Sequence, residues 1–382
     1  MNNNRRNKIL KELDRIRKKD FTYESGHILG SMCTQPHPIA KQAYMKFLET
    51  NLGDPELFPG TKDIEKNLID FISKLLNAPT SSTGLIMGGG TEGNITSMWL
   101  AKKLSGKKEI ILPESAHFSF QKIASLTDMK LVPIPLDKNY SMDVDLVKGK
   151  ISKNTAAIVG IAGSTELGTV DSIPDLSKIC QDNDIFLHVD AAFGGYVIPF
   201  LKKLGHDIPD FDLKLKGVST ISIDAHKMGY SAIPLGTLII KDKKWLDKIS
   251  VEAACVSSKT QTGLMGTRSG GPVAASYAVT KYLGLSGYKK LIDNCMNVTY
   301  HTEKKLREIG LKPLIKPTMN VLGIKLKKPD VVVQELTKYG WKVNKIDRIG
   351  CIRLVLMPHV TQNIIDDFVI DLEKVCKQTG EL

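Results

Sequence analysis

From about residue 60 to residue 240 the chain switches repeatedly between two hydrophobic periods. Residues 63–77 place Ile64, Leu68, Ile72 and Leu75 on one helical face, at the three-to-four-residue spacing of an amphipathic helix. Short apolar runs follow at 85–87, 109–112, 156–161, 185–189 and 220–223. Each gives way to Gly, small or polar residues, as a buried strand does where it meets a loop. Helical segments over 93–104 and 174–183 separate several of these runs. Such alternation predicts a mostly parallel α/β sheet whose ligands bind at the carboxyl ends of the strands. After about residue 285 the pattern changes. A long helix over about 291–308, short strands near 320–326 and 351–356, and a closing helix from about Gln362 predict a separate α+β domain. The expected division is a helical docking segment over 1–50, a large domain over 51–284 and a small C-terminal domain over 285–382.

Composition narrows the classes. At 382 residues the chain exceeds one small core, and its 42% hydrophobic and 25% charged content is that of a soluble globular protein. No apolar run approaches the roughly 18 residues of a membrane span. The first twenty residues are basic and carry Ile9, Leu10, Leu13 and Ile16 at helical spacing, without the apolar core and cleavage site of a signal peptide. They predict an amphipathic docking helix on a cytoplasmic protein. Six scattered cysteines with no CxxC pair argue against a zinc site or a disulfide framework. The net charge of +12 raises nucleic acid as a partner. However, the basic residues are mixed with acids and no aromatic-flanked basic motif occurs, so a solvated surface is expected instead.

Three segments carry chemistry. Gly88-Gly89-Gly90-Thr91-Glu92-Gly93-Asn94 lies between a strand and a helix, where backbone N–H groups and the helix N-terminus form a phosphate cradle. It also matches the dinucleotide fingerprint GxGxxG, with Glu114 at about the distance of the ribose-binding acid, so a nicotinamide enzyme competes. A bare glycine turn is the bland alternative. The second segment, Ile185–Gly195, ends an apolar strand on Asp190, which enters the ligand crevice but could equally cap a helix or bind a metal. The third, Ser222–Gly229, sets Lys227 just after another strand. A lysine desolvated in such a crevice sheds its proton more readily, and the neutral amine is the form that attacks an aldehyde. Most lysines in loops are merely solvated. Lys227 fits that description poorly once an aspartate and a phosphate cradle share its sheet edge.

Taken together, these ordered motifs resemble the fold-type I pyridoxal-phosphate (PLP) enzymes and, within them, the group II amino-acid decarboxylases. The resemblance covers most of the chain and implies a PLP-dependent transferase fold. In it Lys227 holds PLP as a Schiff base, and Asp190 pairs with the pyridine nitrogen and keeps the ring an electron sink. Gly90, Thr91 and His226 meet the phosphate. His117, in Ser115–Ser119, stacks on one ring face, Ala192 packs on the other, and Thr165 lies near the phenolic oxygen. Such enzymes are usually homodimers with active sites at the interface, and Thr267 is expected to reach the partner's phosphate.

More narrowly, the chain is similar to the archaeal decarboxylases that act on tyrosine and aspartate in methanofuran and coenzyme A biosynthesis. Four segments carry that likeness: Ser31-Met32-Cys33-Thr34 with Pro36-His37-Pro38, the Gly88–Asn94 turn, Asp224–Gly229 and Ile352-Arg353-Leu354. The first is expected to line the substrate entrance, with His37 touching substrate. Arg353 is expected to grip the substrate carboxylate, although an ordinary ion pair would also account for it. Tyramine from tyrosine and β-alanine from aspartate are the implied products, with glutamate an open alternative substrate.

One departure matters. Animal and plant relatives commonly carry a tyrosine on the loop after the lysine domain, where it delivers a proton to Cα, but residues 251–266 contain none. This leaves Lys227, His117 or a residue of another chain as the donor. It also leaves room for carbon–carbon lyase chemistry of the sphingosine-phosphate-lyase type. A cysteine desulfurase would need a loop nucleophile, for which Cys255 is the one loose candidate. A non-catalytic PLP-fold protein is a further alternative, against which the intact Lys227 and Asp190 speak.

Overall fold

The computed structural model describes residues 3–254 and 260–382. Seven strands form the central sheet: β1 (Thr83–Met87), β2 (Glu109–Pro113), β3 (Lys130–Ile134), β4 (Thr155–Ile161), β5 (Phe186–Asp190), β6 (Val218–Asp224) and β7 (Gly236–Ile240). Their order is β1-β7-β6-β5-β4-β2-β3, and every pairing is parallel except those of β7 with its two neighbours. β4 through β7 are buried at every position, which is why their sequences read as unbroken apolar runs rather than alternating ones.

Among the described residues, eleven α-helices surround this sheet and a second, smaller one. The first eight are α1 (Asn3–Arg17), α2 (Pro38–Lys46), α3 (Pro59–Leu75), α4 (Gly90–Ser105), α5 (Ser119–Thr127), α6 (Val144–Val147), α7 (Ile173–Asn183) and α8 (Ile198–Lys203). α9 (Gly270–Glu308) follows a short hairpin of β8 (Ser250–Glu252) and β9 (Thr260–Thr262), and it is broken at Gly284, where φ is 56° and ψ −170°. Beyond that break, an antiparallel sheet of β10 (Val321–Lys325), β11 (Asn344–Ile346) and β12 (Cys351–Val355) packs against α10 (Pro329–Lys338) and α11 (Gln362–Thr379) around its own apolar core.

The N-terminal segment divides its attachments. Leu29 and Gly30 donate backbone hydrogen bonds to the Lys342 carbonyl, tying residues 27–30 to the smaller sheet, while α2 packs on α9. α1 has no buried residue. Ile9, Leu10, Leu13 and Ile16 are each about half exposed, so the apolar stripe read from the sequence has no partner within the described residues of one chain.

Two local features aim the sheet edge at a ligand. β1, β5 and β6 all point the same way, so Met87, Asp190 and Asp224 end on one edge. Gly236 opens β7 between Gly89 and Asp224. A Cβ there would lie 2.6 Å from Asp224 Oδ1 and 2.8 Å from Gly89 Cα, so only glycine lets the turn and the aspartate approach one another.

Candidate active site

A cavity of about 560 Å³ opens at this edge. The glycine turn forms one side, with Gly88, Gly89, Gly90 and Thr91 at the N-terminus of α4. Asp190, Ala192, Asp224, His226 and Lys227 come from the ends of β5 and β6, and His117 and Thr165 from the loops after β2 and β4. A second cavity of about 400 Å³ shares His117, Thr165 and Lys227 with the first and extends to Ser31, Met32, Lys342, Asn344 and Arg353. The two thus adjoin at these three residues, between the large sheet and the small domain.

The glycine turn is built for an anion. Gly89, with φ 145°, occupies the N-cap position, so the first N–H groups of the sixteen-residue α4 have no side-chain cap. A Cβ on Gly90 would come within 3.1 Å of Asp224 Oδ2 and 3.2 Å of Ala192 Cβ. Lys227 Nζ lies 3.2 Å from Asp224 Oδ2, and Asp224 Oδ1 is buried with no hydrogen-bond partner among the described residues. His226 Nδ1 contacts the Leu235 carbonyl at 2.7 Å, which fixes its ring beside the turn.

Asp190 is the end of a buried hydrogen-bond chain. Its Oδ2 accepts from Asn94 Nδ2 at 2.8 Å, and its Oδ1 accepts from the Ala192 backbone N–H at 3.1 Å. An ionised carboxylate only accepts, so Asn94 must turn its NH₂ toward Asp190 and its Oδ1 toward His188. His188 Nε2, 2.9 Å from that oxygen, therefore donates, and Nδ1 accepts from the Thr220 hydroxyl at 2.9 Å. Ser97 Oγ completes the chain 2.7 Å from Thr220 Oγ1. Complete burial lowers His188 to about 4 against the opposing pull of Asp190. Unfolded chains then bind more protons than folded ones between about 6.5 and 4, so the His188 contribution to stability is lost as pH falls through that window. His188 should accordingly stay neutral and Nε2-protonated from pH 8 to 5. Ring ¹⁵N chemical shifts test this, and a titration centred near 6.5 would contradict it.

His117 is half-buried, and burial lowers its affinity for a proton, with Asp190 pulling the other way. Its Nδ1 accepts the Ser119 backbone N–H at 3.2 Å, leaving the proton of the neutral ring on Nε2. Arg353 is only 4% exposed; Nη1 donates to the Thr165 carbonyl and Nη2 to the Gly30 carbonyl, each at 2.6 Å. It therefore is not the surface ion pair that its sequence also allowed. Three of its five N–H groups stay uncommitted, including Nε, which is buried without a partner among the described residues.

The arrangement rejects the dinucleotide reading. A dinucleotide crevice forms where strand order reverses next to a central first strand, whereas here the strand before the glycine turn lies at the sheet edge beside an antiparallel neighbour. Glu114 is solvent-exposed at the end of β2 and does not line the cavity. A pyridoxal-dependent decarboxylase conserved domain matches residues 45–318.

The chain belongs to the pyridoxal-dependent decarboxylases.

It is 44% identical to a "Probable L-tyrosine/L-aspartate decarboxylase" of Methanothermobacter thermautotrophicus, over 93% of this chain and 99% of that one. A Pyrococcus horikoshii "L-aspartate/L-glutamate decarboxylase" is 45% identical over 96% of this chain and 97% of its own. Among solved structures, sphingosine-1-phosphate lyase of Burkholderia pseudomallei superposes with a TM-score of 0.90 at 26% identity, covering 97% of this chain and 90% of that one. The decarboxylase is thus a PLP enzyme of fold-type I, and its residues fit the cofactor. The uncapped helix N-terminus beside glycines matches a phosphate, the held Asp190 carboxylate a protonated ring nitrogen, and Lys227 an aldehyde.

Of the residues singled out from sequence, Lys227, Asp190, His117, Gly90, Thr91, Thr165, Ala192 and His226 line the cavity, and Arg353 lines its extension. Two do not. His37 caps α2, accepting the Ile39 backbone N–H at 3.2 Å, and packs its ring on Tyr230 and Tyr282, lining neither of this chain's two cavities. The proline that follows it starts the helix, which commits the side chain to capping. Thr267 also lies outside this chain's own cavity. Cys255 falls outside the described residues. Burial pushes the thiols of Cys180 and Cys295 up to about 12 and those of Cys351 and Cys376 to about 11, so all four stay protonated. Asp224 and Asn94 went unassigned in the sequence. Asp224 ends a buried strand just as Asp190 does, and the same pattern would have found it; Asn94 becomes legible only once α4 is laid across β5 and β6.

Proposed function

We propose that this decarboxylase converts L-tyrosine to tyramine and L-aspartate to β-alanine, in the cytoplasm, supplying methanofuran and coenzyme A synthesis. The names of its relatives support the substrates, and the observation that carries the reading is the joining of Lys227, Asp190 and the glycine turn in one cavity. Lys227 Nζ is the attachment point, Asp190 faces the ring nitrogen, and Gly90, Thr91 and His226 take the phosphate. His117 and Ala192 hold the two ring faces, and Thr165 lies by the phenolic oxygen. When bound, PLP supplies the electron sink for the pair released from the Cα–carboxylate bond. Arg353 orients substrate carboxylate with its uncommitted N–H groups. Among the described residues no tyrosine lines either cavity, so the proton returned to Cα comes from Lys227 Nζ, His117 Nε2 or a residue of a second copy of the chain.

The working unit in this reading is a homodimer. Phe118, Leu264 and Met265 leave large apolar areas exposed at the cavity mouth, and α1 offers its unpartnered stripe, as a surface meant for a second copy would. Thr267 of that copy then completes the phosphate site.

Carbon dioxide and amine release from tyrosine, aspartate and glutamate, with PLP added, tests the proposal. Tyramine and β-alanine are the expected products. No release from any of the three with PLP bound would overturn the substrate assignment in favour of a lyase acting on a phosphorylated amine.

A further inference from the structure

We infer that Lys342 selects substrates carrying a second carboxylate on the side chain, an inference that rests on the decarboxylase reading of this cavity. The part of the cavity beyond Lys227 and His117 contains two further cations, Lys342 and Arg353, and none of the residues lining it is Asp or Glu. Such a wall focuses positive potential on whatever enters.

Lys342 is held in place without being neutralised. Its backbone N–H donates to the His27 carbonyl at 2.9 Å, and its own carbonyl accepts from Leu29 and Gly30 at 2.9 and 2.8 Å. Its ammonium stands 3.9 Å over the Phe21 ring, a contact that orients the charge and supplies no counter-ion. No ion pair engages it among the described residues. Gly30, which fixes the Lys342 backbone, also accepts from Arg353 Nη2, so one turn sets both cations. Asn344 faces Arg353 in the β11–β12 register, and Lys342, two residues earlier, opens onto the same cavity.

This geometry divides the substrate's charges. The α-carboxylate has to lie where Lys227 and His117 can act on the reacting carbon. A side-chain carboxylate extending toward the small domain then meets Lys342 and forms a charge-assisted contact. A neutral phenol at the same place leaves the ammonium without a counter-charge. The cavity therefore favours dicarboxylic amino acids over tyrosine, with Lys342 as the residue that makes the difference.

Lys342→Met in the full-length holoenzyme tests this, with Lys342→Arg as the charge-preserving control. The ratio of kcat/KM for aspartate to that for tyrosine should fall about 10–100-fold in Lys342→Met, chiefly through the KM for aspartate, and should largely recover in Lys342→Arg. Succinate, a dicarboxylate that cannot react, should bind more weakly to Lys342→Met by a comparable factor in calorimetry. An unchanged ratio, or succinate affinity equal to wild type in a folded, PLP-loaded variant, would overturn the inference. Wild-type enzyme that releases carbon dioxide from neither substrate would instead refute the substrate reading, and succinate binding would still decide the role of Lys342.

Discussion

Lys227→Ala should lose turnover by about 10⁴-fold or more, because among the described residues no other amine in the cavity lies beside Asp224 to carry the cofactor covalently. The variant should still take up PLP through the glycine turn and Asp190, but borohydride should no longer fix it to the protein. Removing the ammonium also leaves Asp224 buried without its cation, since Oδ2 lies 3.2 Å from Lys227 Nζ and Oδ1 already has no partner among the described residues. Some loss of stability therefore accompanies the loss of chemistry. Lys227→Arg separates the two effects. Its guanidinium keeps a positive charge near Asp224 yet stays protonated and cannot attack an aldehyde, so stability should recover while activity does not. Activity in either variant within tenfold of wild type, measured as carbon dioxide release, would remove Lys227 from its assigned role.

The second large effect is expected at Asp190→Asn. The substitution keeps the shape and leaves an amide oxygen able to accept from the Ala192 N–H or from Asn94, so the fold should persist. What disappears is the fixed negative charge opposite the ring nitrogen. Loss of one preorganised electrostatic partner in a water-poor site typically costs about 10²–10³-fold in kcat. Substrate affinity should change far less, because no substrate atom needs to touch this carboxylate. Single-turnover kinetics and the absorption spectrum of bound PLP give two independent readings. A kcat within threefold of wild type, with an unaltered spectrum, would show that Asp190 does not govern the ring.

How much of this was legible in advance differs from one element to the next. The strands ending on Asp190 and just before Lys227 stood out because β5 and β6 are buried on both faces, which forces continuous apolar sequence and makes the first polar residue conspicuous. The glycine turn was visible for a comparable reason, since a side chain at Gly89 or Gly90 would crowd His226 or Asp224. β3, with its half-buried pattern and a proline, carried a weaker pattern and was missed, and so was β7. The capping role of His37 was not legible, because a histidine between two prolines looks the same in sequence whether it caps a helix or meets a ligand.

The sequence by itself marked the candidates, Lys227, Asp190 and the glycine turn, since each lies within a few residues of the strand end that presents it. Tertiary structure decided their assembly. That β7 runs antiparallel between β1 and β6, so that the glycine turn at residue 88 faces Lys227, is a pairing across more than a hundred residues that no local period encodes. The same holds for Gly30, Lys342 and Arg353, which meet only when the N-terminal segment pairs with the small domain. Local hydrophobic spacing reports which face of an element is buried; it carries no information about which distant element buries it.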